Sequence, residues 1–303
     1  MPAKTIKSWI QASRLPSQGY IFFPLLLGQA LWYSQSGTFS LSLAGLTWLF
    51  GLMIQLYIVY ANDLADLAID RLNATFTPFS GGSRVLVEGK LSVRDLKIAV
   101  AVTVLFNGLI AFYLLVLGRP LAPGLILISL MLLWLYSFPP VRLSYRGGGE
   151  FLQMAGVGLI LPIFGYYVQA GSLEAFPWRY AAALLPLQLA CAFSTALPDE
   201  PSDRAGDKKT IAVTLGGNRA KTVVLVLHLL ALFLVAGIIL SENRWIVFLS
   251  VSAVSIAAIS GLLLSFSRAV PGSRAMLVFV SCSILATLGL TCSIAAERFL
   301  CMR

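Results

Sequence analysis

Charge is what this sequence has least of. Only 12% of its 303 residues are Asp, Glu, Lys or Arg, and 58% are hydrophobic, for a mean hydropathy of +0.85. A soluble globular chain carries about a quarter charged residues, so a soluble domain is excluded. There is a single histidine, His228, set inside an apolar run. A histidine-based zinc site or a Ser–His or Cys–His hydrolase therefore has nothing to draw on, and helix packing is the expected role. The four cysteines, Cys191, Cys282, Cys292 and Cys301, lie in or near apolar stretches with no Cys-x-x-Cys spacing. They read as small buried hydrophobes rather than metal ligands or disulfides. No short apolar stretch with a small-residue cleavage site opens the sequence, so a removable signal peptide is not expected.

What the sequence does have is long apolar blocks of roughly 18–25 residues, the length that crosses about 30 Å of hydrocarbon. Nine spans are predicted, at 19–36, 41–61, 96–117, 121–139, 152–170, 179–198, 222–240, 245–266 and 275–296. The expected fold class is all-α: a polytopic membrane protein with about nine transmembrane helices. With the N-terminus inside, 17 of the 22 Lys and Arg residues fall on the inner side and five on the outer. By the positive-inside rule the net charge of +9 is an orientation signal towards the lipid bilayer, and nucleic acid is not an expected partner. A bacterial inner (cytoplasmic) membrane is the expected location. Before the first span, Ile6, Trp9 and Ile10 at i, i+3 and i+4 among Lys4, Lys7 and Arg14 predict a short interfacial helix within residues 1–18. It should end at Pro16, with its tryptophan at headgroup depth. No hydrophilic block is large enough for a second domain, so residues 1–303 read as one membrane domain.

Scarce as they are, the carboxylates are gathered. Of seven aspartates six fall in two clusters, Asp63, Asp66 and Asp70 in NDLADLAID and Asp199, Asp203 and Asp207 in DEPSDRAGD. Each follows an apolar run on the inner side and opens a long loop. Asn62, Asp66 and Asp70 are spaced i, i+4, i+8, which stacks them on one helix face about one turn apart. Asp199, Asp203 and Asp207 repeat the spacing if the helix persists, although Pro198 and Pro201 suit a break or a first turn. Carboxylates one turn apart repel unless something cationic lies between them. Mg2+ takes oxygen ligands and commonly combines one or two carboxylates with substrate phosphates. Two facing rows would hold Mg2+ bridged to a diphosphate, and Arg71, Arg84, Arg142, Arg146, Arg204, Lys208 and Lys209 are near enough in sequence to neutralise the rest. A cation transporter also uses acidic membrane residues. Here they sit at helix ends beside Lys and Arg, which favours an anionic ligand bridged by metal.

These residues resemble a known family. NDLADLAID matches the N-D-x-x-D-x-x-x-D signature of the UbiA superfamily of intramembrane aromatic prenyltransferases, and DEPSD matches its second D-x-x-x-D motif. TPFSGGSRVLVEGKLS, LYSFPPVRLSYRGGGE and KKTIAVTLG are similar to its loop sequences, and the flanks look most like the menaquinone-pathway branch. The resemblance implies helices around a central cavity capped by cytoplasmic-side loops, with Mg2+ and a polyprenyl diphosphate donor held between the motifs and an aromatic acceptor, 1,4-dihydroxy-2-naphthoate, prenylated there. Another acceptor of the superfamily, 4-hydroxybenzoate or homogentisate, is the alternative. By matched position, Asn62, Asp66, Asp70, Asp199 and Asp203 are implied as the metal and diphosphate site. Asp63 lies in the motif but off its main face. Tyr136 and Arg142 are implied near the reacting centre, and Arg71, Arg84, Arg146, Lys208 and Lys209 as diphosphate contacts. Two departures stand out: Asp207, where related sequences tend to have Gly, is either an extra metal ligand or a surface change, and Thr214 stands where Arg is common.

Overall fold

The computed structural model describes residues 5–241 and 245–300. Among them every regular element is helical and no strand forms. The fourteen α-helices are α1 (Ile6–Ser13), α2 (Gly19–Ser36), α3 (Leu41–Ala65), α4 (Leu67–Leu72), α5 (Val93–Val116), α6 (Ala122–Ser137), α7 (Gly149–Ala155), α8 (Leu161–Ala170), α9 (Trp178–Ala196), α10 (Glu200–Ala205), α11 (Ile211–Leu215), α12 (Gly217–Ser241), α13 (Trp245–Ser265) and α14 (Arg274–Leu300). Six helices, counting α7–α8 and α9–α10 as continuous, are long and apolar enough to cross a membrane, which makes this an integral membrane protein. The other three predicted spans, α2, α6 and α13, are helical but do not meet that length and hydropathy test among the described residues.

With lipid as apolar as leucine, close backbone approach does much of the packing between such helices. Helices α2 and α8 show it: a Cβ on Gly28 would lie 2.1 Å from the Pro162 carbonyl oxygen, and one on Gly165 would lie 2.2 Å from that of Leu25. Beside this contact the Phe50 and Phe164 rings pack with centroids 4.1 Å apart. Further round the bundle α12 lies along α9, α13 along α14 and α3 along α5. Between α7 and α8 the helix widens into a π-type turn at Gly156–Ile160. Such turns are frequent at functional sites, and this one faces a cavity.

The single histidine packs as expected, its Nδ1 2.8 Å from the Val224 carbonyl oxygen. Cys191, Cys282 and Cys292 are free thiols, and Cys301, like Lys4, lies outside the described residues. Helix α1 forms with Ile6 and Ile10 exposed and Ser8 and Ala12 buried, but ends at Arg14, two residues before Pro16. Trp9 turns inward, its ring 6.0 Å from that of Tyr60, because small residues at positions 8 and 12 let the helix settle on the end of α3.

Candidate active site

The first acidic row survives a helix break. Helix α3 stops at Ala65, Asp66 caps it, and α4 restarts at Leu67. The hydrogen bonds nevertheless step through the junction: Asp66 N donates to Asn62 O and Asp70 N to Asp66 O, both at 2.9 Å. Asn62, Asp66 and Asp70 therefore keep one face and line one cavity of about 130 Å³. On the opposite wall the prolines act as the sequence suggests. Helix α9 ends at Ala196, a tight turn carries Leu197–Asp199, and α10 follows. Asp199 and Asp203 line the same cavity.

Four aspartates around one small chamber repel, and one buried lysine answers them. Lys208 Nζ lies 2.8 Å from Asp66 Oδ2 and 4.0 Å from Asp203 Oδ1. Burial works against its charge, but Asp66, Tyr136 and Asp203 hold it protonated well above the usual lysine range. One lysine does not suffice. Burial and the negative charge of Asp66 push Asp70 up to about 7. Asp203 accepts from Thr210 Oγ1 at 3.1 Å, and Asp199 accepts from Asn73 Nδ2 at 2.7 Å and Gly81 N at 3.0 Å. Among the described residues no donor reaches the Asp70 carboxylate.

The loop between α4 and α5, of which the sequence motifs single out only Arg84, is organised around these carboxylates. Gly81 N binds Asp199, Ser83 N and Oγ bind Asp63, and Gly82 lies so close to Asp70 that a Cβ would stand 2.2 Å from Oδ2. Asn73 was also missed, although an Asn three residues after a motif Asp is a readable signal. Glu150 lines the cavity too, and its Oε1 accepts from Ile211 N at 2.7 Å, joining the first turn of α7 to the start of α11.

Several predicted contacts stand apart from the cavity. Both Asp63 oxygens are bound, by Arg14 and Ser83, and Asp63 is not among the residues that line the chamber. Asp207 is exposed with φ 56°, a left-handed conformation that favours Gly. Arg71 and Lys209 are exposed, Lys209 because its neighbour Lys208 turns inward. Arg84 donates from Nη1 to the carbonyls of Asp70 (2.6 Å) and Asn73 (3.3 Å), closing the end of α4. Arg146 donates to Pro140 O at 2.8 Å within its own loop. Arg142 stacks over the Tyr145 ring at 3.4 Å, and it is Tyr145 that reaches the site, donating to Asp66 Oδ1 at 3.3 Å. Tyr136 does line the cavity, its ring against Gly149, where a Cβ would come within 2.7 Å.

A second chamber, of about 260 Å³, continues from the first and shares Arg14, Asn62, Phe79, Tyr136, Gln153 and Thr195 with it. Its remaining walls are mostly apolar, including Ile21, Ile54, Leu133, Val157 and Leu161. Among the described residues no three acidic, His or Cys side chains converge closely enough to form a metal cage by themselves.

Known proteins share this fold. The profile of the UbiA prenyltransferase family matches residues 21–282. The chain is 32% identical over 168 residues to "Probable homogentisate phytyltransferase 2, chloroplastic" of Oryza sativa subsp. japonica, and 29% identical over 167 residues to "Homogentisate solanesyltransferase, chloroplastic" of Arabidopsis thaliana. Each match covers 53% of this chain and 41% of the relative, so the chain spans less than half the length of the curated relatives it matches. A UbiA homolog from Archaeoglobus fulgidus, solved with GPP and Mg2+, gives a TM-score of 0.69 at 16% identity over 97% of this chain and 100% of that one. The apo structure of a UbiA homolog from Aeropyrum pernix K1 gives 0.67 at 20% identity over 89% and 96%. With the fold shared end to end and the family profile covering most of the sequence, this chain belongs to the UbiA prenyltransferase family.

Proposed function

We propose that this protein transfers a polyprenyl group from an allylic prenyl diphosphate to an aromatic acceptor, with Mg2+ as cofactor. The observation that carries the reading is the pair of joined chambers: one walled by Asp66, Asp70, Asp199 and Asp203, the other by apolar side chains. A molecule with a doubly anionic head and a hydrocarbon tail matches both at once.

The donor set suits Mg2+. Asp70, pushed up to about 7, marks negative potential left over after Lys208, and hard carboxylate oxygens are what this ion takes. The absence of a ready-made cage among the described residues fits an ion that completes its shell with substrate phosphate and water. The chemistry it supplies when bound is compensation of charge on the departing diphosphate oxygens. Asn62, Asp66 and Asp70 on one wall, and Asp199 and Asp203 on the other, would hold it.

The chain's own residues do the rest. Lys208 keeps a proton between the two walls and presents positive charge to the leaving group. The faces of Tyr136 and Tyr145 offer π density to an allylic cation. The apolar walls exclude water that would capture that cation. An electron-rich ring at the junction of the chambers attacks the cation carbon, then loses its proton to restore aromaticity. The acceptor is a hydroxylated aromatic carboxylic acid. The loop resemblances favour 1,4-dihydroxy-2-naphthoate and menaquinone biosynthesis, with the ring carboxylate leaving as CO2 and a proton taking its place on the ring. The names of the two plant relatives favour homogentisate as the second reading. Basic residues on one side orient the active-site loops towards the cytoplasmic side of a bacterial inner membrane.

The test is purified protein with two or three prenyl diphosphates and a panel of these acceptors, products identified by mass. Prenylated product that disappears with EDTA and returns with Mg2+ supports the reading; no product with any pair, or ion flux in proteoliposomes instead, removes it.

A further inference from the structure

Asp63 belongs to the acidic motif yet does not serve the chamber. It is 3% exposed, and its two oxygens are bound by the Arg14 guanidinium, by Ser83 N at 3.2 Å and by Ser83 Oγ. Arg14 itself is held from several sides. It takes a left-handed backbone, φ 43°, at the end of α1, its N–H bonds Gln11 O at 3.2 Å, and its carbonyl accepts the Ser17 hydroxyl at 2.6 Å. Gln11 ties the same helix to the Ser83 carbonyl at 2.8 Å. The segment before the first span is thus moored to the loop that arranges the aspartates.

This mooring leaves one edge of the guanidinium free. Only Nη2 is engaged; Nη1 and Nε make no hydrogen bond among the described residues, and of these Nε is buried while Nη1 is not. Arg14 lines both chambers, and among the described residues it is the one cation lining the apolar chamber. Lys208, the other cation of the acidic chamber, is committed to Asp66. An anionic oxygen at the junction would find its directional donors on Arg14, whose planar fork suits carboxylate and phosphate alike.

We infer that Asp63 is a positioning residue for Arg14 rather than a metal ligand, and that Arg14 binds a substrate oxyanion at the junction of the two chambers. The oxyanion is either the acceptor's carboxylate or the donor's diphosphate. The inference rests on the proposed prenyl transfer for its substrates, and direct binding separates the two.

The experiment uses the full chain as Arg14→Gln, Arg14→Lys, Asp63→Asn and the Arg14→Gln/Asp63→Asn double variant, with donor KM, acceptor KM, Mg2+ half-saturation and melting temperature measured for each. Arg14→Gln is expected to raise one substrate's KM about tenfold with Mg2+ half-saturation unchanged. Asp63→Asn should reproduce that rise, and the double variant should be no worse than either single change, because both remove one interaction. A rise confined to the acceptor, absent with a carboxylate-free acceptor, assigns the carboxylate; a rise confined to the donor assigns the diphosphate. Arg14→Lys keeps the charge without the fork and should fall between, which serves if Arg14→Gln does not fold. Unchanged KM values in Arg14→Gln overturn the role of Arg14, and weakened Mg2+ dependence alone in Asp63→Asn overturns the mooring. Calorimetric titration with 4-hydroxybenzoate and with inorganic pyrophosphate makes the same comparison without turnover. A wild type that binds these probes through Arg14 but transfers no prenyl group defeats the proposed function and leaves this inference standing.

Discussion

Lys208 Nζ lies 2.8 Å from Asp66 Oδ2 and 4.0 Å from Asp203 Oδ1, so one buried ammonium joins acidic clusters that are far apart in sequence. Removing it leaves carboxylates facing one another with no cation between them. Lys208→Met is expected to destabilise the metal-free protein by about 3 kcal/mol, the scale for breaking a buried ion pair. Turnover should fall about a hundredfold, as for loss of a charge-stabilising donor. Mg2+ should recover part of the stability and none of the turnover. Melting curves in EDTA and in Mg2+, with turnover alongside, check both.

Gly82 is fixed twice, by φ +73° and by the Asp70 oxygen 2.2 Å from any Cβ. Gly82→Ala should cost about 1–3 kcal/mol of stability from backbone strain. It should also displace Asp70, so turnover falls more than stability does. A variant with full turnover would show that Asp70 need not hold this position.

The pH dependence follows from the raised carboxyl of Asp70. It titrates near 7 in the folded protein, against about 4 when unfolded. A raised folded value means stability fully present below the unfolded value and lost as pH rises through about 7. The melting temperature in EDTA should therefore fall between about pH 4 and about pH 7. In Mg2+ the fall should shrink, because bound cation favours the ionised form. Equal slopes with and without Mg2+ would contradict the assignment of Asp70 to the metal site.

Gly156 opens the π-type turn and lines the apolar chamber, where a Cβ would already stand 3.3 Å from Leu132 Cδ1. Gly156→Leu should fill part of that space. Longer donors are expected to lose about tenfold in kcat/KM relative to the shortest donor tested. A donor-length series measured under one set of conditions reads this directly, and a uniform loss across the series would count against a tail-binding chamber.

Much of the site was legible because aspartates are rare here and their spacing follows helical geometry. The i, i+4, i+8 row needed only that hydrogen bonding persist past Asp66, which it does. Pro198 and Pro201 signalled the break between α9 and α10, whereas Asp207 is separated from Asp199 and Asp203 by the end of α10 at Ala205. Lys208 was legible as a neighbour of the motif, but its inward turn, and the outward turn of Lys209, depend on the left-handed residue just before them. Proximity to a motif does not say how a basic side chain is engaged: Arg84 closes a helix end and Arg142 stacks on Tyr145. Arg14 was read only as part of an interfacial helix, since nothing local announces a partner 49 residues away. The all-helical, membrane-spanning character followed from hydropathy; the π-type turn, which no periodicity marks, did not.

The central claim is that the two acidic rows form one Mg2+-dependent diphosphate site. Its most direct test is prenyl transfer by purified Asp66→Asn and Asp199→Asn variants beside the wild type, each assayed with Mg2+ and with EDTA and with product measured by mass. The account predicts that each substitution lowers turnover at least about a hundredfold and that EDTA abolishes the wild-type reaction. Undiminished turnover in both variants, or wild-type activity that persists in EDTA, would contradict it.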